Sequence, residues 1–256
     1  MKKVALVLIL LGASMLQAQE TAKYEKHVFE KNGQKLPYRL LKPAKIEDGK
    51  KYPLVLFLHG AGERGDNNEA QLVHGSSLFL KPKNREAYPA FVLFPQCPNN
   101  KRWVEVDWGQ KTTHKQPSEP SLPMGLTKAL VDDLIKDQPI DGKRIYLMGL
   151  SMGGFGTWDW AARYPELTAA IAPICGGADD STAEKLKSIP AWAFHGTDDT
   201  AVWPQRSRSM VEALKKAGGT VRYSEYEKVG HFSWGRAFDE PELLPWLFAQ
   251  KKQESK

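Results

Sequence analysis

From Tyr24 onward, short apolar runs alternate with stretches in which apolar residues recur every three or four positions. A short continuous apolar run bounded by turn residues reads as a strand buried on both faces, and the wider spacing reads as a helix with one apolar stripe. Two segments, Tyr24–Glu30 and Leu36–Lys42, instead alternate apolar and polar residues and are expected to pair as an antiparallel edge. Buried strands are predicted at Leu54–Leu58, Ala90–Phe94, Arg144–Met148, Ala169–Ile174, Ala191–Phe194 and Val221–Tyr226. Helical spacing separates them: Leu126, Leu130 and Leu134 with Ala129 form one stripe, and Met210, Val211 and Leu214 form another ahead of a Gly218-Gly219 stop. The apolar stretch Glu242–Gln250 is expected to dock as a last helix despite Pro245. This alternation predicts an α/β fold, a mostly parallel eight-stranded sheet with helices on both faces. No internal repeat and no linker divides it, so residues 19–256 read as one domain.

Residues 1–18 belong to a different pattern. Lys2 and Lys3 precede the apolar run Val4–Leu11, and small and polar residues lead to Ala18, which together predict a signal peptide cut after Ala18. The run is shorter than the roughly 20 apolar residues a membrane span requires, so no membrane anchor is expected. The expected location is secreted or periplasmic. The formal charge of +6 is spread over separated pairs such as Lys50-Lys51, Lys215-Lys216 and Lys251-Lys252. A nucleic-acid partner would require a stripe, and none is expected.

The longest stretch without periodicity runs from Gln96 to Pro123 and follows a strand's C-terminal end, the side on which open α/β sheets hold ligands. Chemistry enters at Gly149-Leu150-Ser151-Met152-Gly153. This G-x-S-x-G follows a predicted strand and opens a helical stretch, the strand–turn–helix context of a nucleophile elbow, with Ser151 at its tip. A serine hydroxyl needs a base, and the base needs an orienting acid. Of six histidines, His59 and His195 end strands ahead of glycine and suit a structural role, whereas His231 follows the last strand. In the chain order Ser, acid, His this makes His231 the base. Two acids, Asp198 and Asp199, follow the preceding strand, and spacing leaves both open. Asp179 and Asp180 read as helix caps. An oxyanion needs two preorganised donors, expected from the backbone N–H of Met152 and from that of Ala61 in His59-Gly60-Ala61-Gly62. Glu63 and Arg64 read as an ion pair holding that loop.

Together these motifs resemble the α/β-hydrolase esterases related to carbohydrate esterases of the feruloyl and acetylxylan type and to the prolyl oligopeptidase catalytic domain. The resemblance rests on His59 to Gly65, Pro95-Gln96-Cys97-Pro98 with Trp103, Gly149 to Asp159, Ala161 to Pro165, Pro173 to Gly177, His195 to Asp199 and Gly230-His231 with Trp234. It implies that the acid is Asp199, the fifth residue of the His-Gly-x-x-Asp motif. Phe232, where relatives often carry Asp, changes the polarity expected beside the base. In the strand order of that fold Cys97 and Cys175 stand roughly 14 Å apart. A disulfide therefore requires the loop after Ala90–Phe94 to fold across the top of the sheet.

Trp103, Trp108, Trp203 and Trp234 follow strand ends and are candidate substrate-binding faces, whereas Trp158 and Trp160 on the elbow helix read as core. The leading expectation is a secreted serine carboxylic-ester hydrolase acting on a small-molecule or polysaccharide ester, such as acetyl or feruloyl decorations of plant polysaccharides. The alternatives are a serine peptidase of the prolyl oligopeptidase type, for whose large extra domain the length leaves no room, and a non-catalytic binding protein. Acyl transfer by a triad needs no cofactor, and no metal-ligand cluster stands out.

Overall fold

The computed structural model describes residues 21–252, so the signal peptide expected over residues 1–18 lies outside the described residues. The two alternating segments pair as expected. β1 (Glu25–Lys31) and β2 (Gln34–Leu41) run antiparallel from Glu25↔Leu40 to Lys31↔Gln34. Their turn is Asn32-Gly33, with φ of 52° and 72°, the left-handed pair that a two-residue hairpin requires.

β3 (Tyr52–Leu58), β4 (Phe91–Pro95), β5 (Ile140–Leu150), β6 (Ala170–Ile174), β7 (Ala191–Gly196) and β8 (Val221–Tyr226) complete one eight-stranded sheet, in the order β1-β2-β4-β3-β5-β6-β7-β8. From β4 to β8 every pairing is parallel. β8 departs from its predicted burial. It is the open edge, and its residues alternate between half-buried and exposed because only β7 covers it.

Successive residues of a strand serve opposite cores, as the two-residue period demands. Leu54, Leu56, Leu58 and Leu147 pack against α3 (Leu122–Asp137), α4 (Met152–Arg163) and α6 (Gln205–Lys216). Val55, Phe57, Tyr146 and Met148 pack on the other face against α1 (Ser76–Leu80) and α8 (Leu243–Ala249). The short α2 (Pro82–Ala87), α5 (Ala183–Leu186) and α7 (Trp234–Phe238) fill the rim. The predicted stripes Leu126/Leu130/Leu134 and Met210/Val211/Leu214 are the buried ones. Pro245 is tolerated because it sits in the first turn of α8, where an N–H has no helical partner. Among the described residues no helix is long and apolar enough to cross a membrane.

β3 lies between β4 and β5, so the connections diverge to either side of its C-terminal end and open the crevice in which such sheets place ligands. The long segment from Gln96 to α3 runs over this end and is held by two arginines, one of them fully buried. Arg206, 1% exposed, donates to the carbonyls of Asp107 at 3.0 Å and Gln110 at 3.1 Å and to His114 Nδ1. Arg163 binds Asp159 at 2.7 Å and the carbonyls of Pro117 and Ser118. Removing the Arg206 guanidinium would strand these acceptors, a loss on the order of 3 kcal/mol. Arg206→Met is therefore expected to lower the melting temperature and to admit protease between residues 104 and 116. An unchanged melting temperature and cleavage pattern would show that the loop is held by other contacts.

Candidate active site

Ser151 closes β5 and N-caps α4 with φ 52° and ψ −119°, a left-handed φ that costs a non-glycine residue on the order of 1–3 kcal/mol. The surroundings impose it. The Ser151 N–H donates to the Ile174 carbonyl at 2.9 Å, tying the turn to β6. α4 approaches so closely that a Cβ at Gly153 would overlap the Leu58 carbonyl, and one at Gly154 would overlap that of Ile174. The turn thus lifts the Ser151 side chain, partly exposed, above the strand ends.

His231, after β8, places Nε2 2.9 Å from Ser151 Oγ and Nδ1 2.8 Å from Asp199 Oδ2. Asp199, 2% exposed, also accepts the N–H groups of Ala201 and Val202 on Oδ1, each at 2.9 Å. Burial pushes its carboxyl up, but hydrogen bonds from His195, His231 and the Val202 N–H outweigh burial and hold it well below the usual carboxylate range. An ionised Asp199 requires a proton on His231 Nδ1, which leaves Nε2 free to accept from the Ser151 hydroxyl. Asp198 faces away. Its exposed carboxylate accepts the Thr197 hydroxyl at 2.7 Å.

The two candidate oxyanion donors both open helices. Met152 is the first residue of α4, and Ala61 is the first of a single 3₁₀ turn, Ala61–Glu63. N–H groups in a first turn have no partner within their own helix and remain available to a ligand. The Ala61 turn borders the serine, for a Cβ on Gly60 would stand 3.7 Å from Ser151 Cβ. His59 holds this turn in place. Its Nδ1–H donates to the Gly60 carbonyl at 2.7 Å, and its Nε2 accepts the Cys97 N–H at 2.9 Å.

Glu63 and Arg64 do not pair as expected. Arg64 donates to the Ala61 carbonyl at 2.8 Å, and the Glu63 carboxylate faces His74 Nε2 at 3.7 Å.

Of the four candidate tryptophans, the structure brings only Trp234 to this set. It packs edge-on against His231, ring centroids 5.6 Å apart. Trp103 is corrected from a substrate face to a core residue: it is 0% exposed, and its indole N–H donates to the His59 carbonyl at 3.0 Å. Trp108 is half-buried against the same core. Arg102 covers its ring at 4.4 Å, with Arg64 at 5.9 Å. Trp203 is half-buried under Lys111, 4.4 Å above its ring. Phe232, expected only to change the polarity beside His231 and not counted among the candidate binding faces, is 76% exposed and 4.8 Å from Trp234. An apolar residue directly after the base was the available signal. The cysteines are free thiols on opposite sides of the sheet, Cys97 in one core and Cys175 in the other, so no bridge joins them.

A mostly parallel eight-stranded sheet carrying a serine on a strained elbow after β5, an acid after β7 and a histidine after β8 defines the α/β-hydrolase class. The pattern of the phospholipase/carboxylesterase family matches residues 44–241, and the chain belongs to that family. It is 46% identical over 163 residues to poly(3-hydroxyalkanoate) depolymerase C of Paucimonas lemoignei, covering 61% of this chain and 35% of that one. It is 34% identical over 147 residues to a bifunctional acetylxylan esterase/xylanase of Neocallimastix patriciarum, covering 57% of this chain and 19% of that one. A crystallised thermostable esterase superposes with a TM-score of 0.86 at 39% identity, covering 91% of this chain and 64% of that one. The chain thus spans less than two thirds of the length of each of these three relatives.

Burial lowers the pKa of His59 from 6.5 to about 4, reinforced by Arg64 and opposed by the bond to Gly60. His59 is therefore neutral when folded and binds a proton more readily once unfolded. Its contribution is complete above about pH 6.5 and is lost as pH falls toward 4. The melting temperature is expected to drop across this window. His59→Gln, whose amide offers one donor and one acceptor without titrating, should flatten the drop, and an equal drop in the variant would acquit His59.

Proposed function

We propose that this protein hydrolyses carboxylic esters through a covalent acyl-enzyme, with Ser151 as nucleophile, His231 as general base and then general acid, and Asp199 as the orienting acid. The observation that carries this reading is the unbroken hydrogen-bonded line from Ser151 Oγ through His231 to Asp199 Oδ2. As Ser151 attacks the acyl carbon, His231 Nε2 takes its proton, and the carbonyl oxygen gains charge that the Ala61 and Met152 N–H groups stabilise. Each such donor contributes on the order of 3 kcal/mol in the transition state. His231 returns the proton to the leaving alcohol, and water repeats the sequence to release the acid. No cofactor enters these steps.

The substrate class is read from the rim. Phe232 and Trp234 form an apolar ledge next to the base, able to stack on a sugar ring or an aromatic acyl group. This ledge, with the likeness to an acetylxylan esterase, supports acetyl or feruloyl esters of plant polysaccharides as substrates. The 46% identity to a poly(3-hydroxyalkanoate) depolymerase favours a second reading, an aliphatic polyester whose chain lies on the same ledge. A secreted or periplasmic location is supported by Lys2-Lys3 and the apolar run that follows.

Ser151→Ala is expected to abolish ester hydrolysis while leaving the melting temperature in place, and a fluorophosphonate should label Ser151. Asp199→Asn should cost on the order of 10⁴ in kcat, and Asp198→Asn no more than a few-fold. Labelling at another residue, or a reversal of the two aspartate effects, would overturn the assignment.

Phe232→Ala is expected to lower kcat/KM for methyl ferulate and acetylated xylan while sparing p-nitrophenyl acetate. A greater loss on poly(3-hydroxybutyrate) would favour the polyester, and an equal loss on every substrate would remove the ledge from substrate recognition.

A further inference from the structure

Asp199 Oδ2 receives two imidazoles, and the mechanism above uses only one. The second is His195, whose Nε2 is 3.1 Å from the same oxygen. The His195 side chain has no exposed surface. Its Nε2 also lies 2.9 Å from the Val202 carbonyl, and its Nδ1 lies 2.7 Å from Ser207 Oγ, which in turn reaches the Gly176 carbonyl at 3.1 Å. Since Nε2 faces a carbonyl and a carboxylate, both acceptors only, it carries a proton.

We propose that His195 is a positioning residue for ester hydrolysis: its Nε2–H holds Asp199 Oδ2 on the line to His231 and shares the charge of that oxygen. The proposal rests on the triad reading above. The backbone of Ala201 and Val202 anchors Oδ1 alone, so the carboxylate can still turn about its Cβ–Cγ bond. His195 adds to Oδ2 a fully buried donor that, unlike His231, takes no part in proton transfer, and so removes that freedom independently of the base. Two donors on one oxygen also divide its charge, so His231 meets a weaker acceptor than a lone carboxylate would offer.

The other groups near Asp199 do not substitute for this donor. Cys175 brings its sulfur within 4.8 Å of the Asp199 and His231 ligand atoms, but burial pushes its thiol up to about 12 and keeps it neutral. Glu225, paired with His195 across β7 and β8, is engaged by Arg208 at 2.8 Å and Tyr223 at 2.7 Å. Asp198 is turned to Thr197, and Glu63 and His74 stand beyond Trp234. Ser207 is the remaining polar contact and acts on His195 itself.

The test compares His195→Leu, His195→Gln and Ser207→Ala for kcat, KM, the pH profile of kcat/KM and melting temperature. His195→Leu should lower kcat roughly ten- to a hundredfold with KM little changed. It should also move the acid limb of the profile to higher pH, because Asp199 then gives its undivided charge to His231. His195→Gln restores an N–H donor and should recover most of kcat and return the limb. Ser207→Ala should shift the limb in the same direction by less.

A folded His195→Leu with an unaltered limb overturns the proposal, as does a loss of kcat in every variant that follows melting temperature with the limb unmoved. Should His195→Leu not fold, an unmoved limb in Ser207→Ala overturns it equally. Activity that persists in Ser151→Ala would sink the triad reading itself, whereas Ser151-dependent activity with indifferent His195 variants would sink only this one.

Discussion

Everything at the site depends on how closely α4 can approach the ends of β3 and β6. Ser151 adopts an unfavourable φ of 52° because the helix behind it is pressed onto the Leu58 and Ile174 carbonyls. Gly153 and Gly154 permit that contact, since neither position has room for a Cβ. The strain on one serine is offset by the packing of a whole helix, whose Phe155, Trp158 and Trp160 are buried to within 1% of full coverage. The same approach sets the Met152 N–H at the helix start and brings Gly60 against Ser151. One steric constraint therefore places the hydroxyl and both candidate oxyanion donors at once.

The second requirement is a buried negative charge, which a protein interior tolerates only when it is fully hydrogen-bonded. Asp199 meets this with two backbone N–H groups on one oxygen and two imidazoles on the other. Its neighbours extend the same logic outward. His195 is satisfied by Val202 and Ser207, and Ser207 by Gly176, which itself abuts α4 at Gly154. The electrostatic network and the steric constraint thus meet in one segment of backbone after β6. A change there is felt both by the serine turn and by the acid.

Much of this was legible in the residues. Strand runs, the elbow and the helical stripes are local patterns: six strands form where apolar continuity predicted them, and the edge pair where alternation did. The choice between Asp198 and Asp199 was not local. Adjacent residues on a turn point in different directions, so spacing left both open until the resemblance named Asp199, the one that His231 meets after β8. The loop tryptophans misled for a related reason. Their positions after strand ends were read correctly, but a loop has no periodicity from which to deduce which way a ring points. Trp103 turned inward because the His59 carbonyl offered its indole N–H a partner. Arg206, a basic residue on a helix and buried to 1%, was equally opaque, since its partners are carbonyls roughly a hundred residues away in sequence.

The inward turn of Trp103 changes what the long loop does. With its tryptophans committed to the core and to Arg102, the segment after β4 becomes scaffolding that fixes the Ala61 turn through His59 and Cys97. The aromatic surface beside the base comes instead from the segment after β8, where Phe232 stands 76% exposed with Trp234 behind it. A large apolar side chain left in water carries a free-energy cost that covering it recovers, on the order of 2 kcal/mol for a ring of this size. That gain belongs to whatever lies on Phe232. Because His231 is the preceding residue, the backbone itself sets anything that lies on Phe232 beside the His231 imidazole.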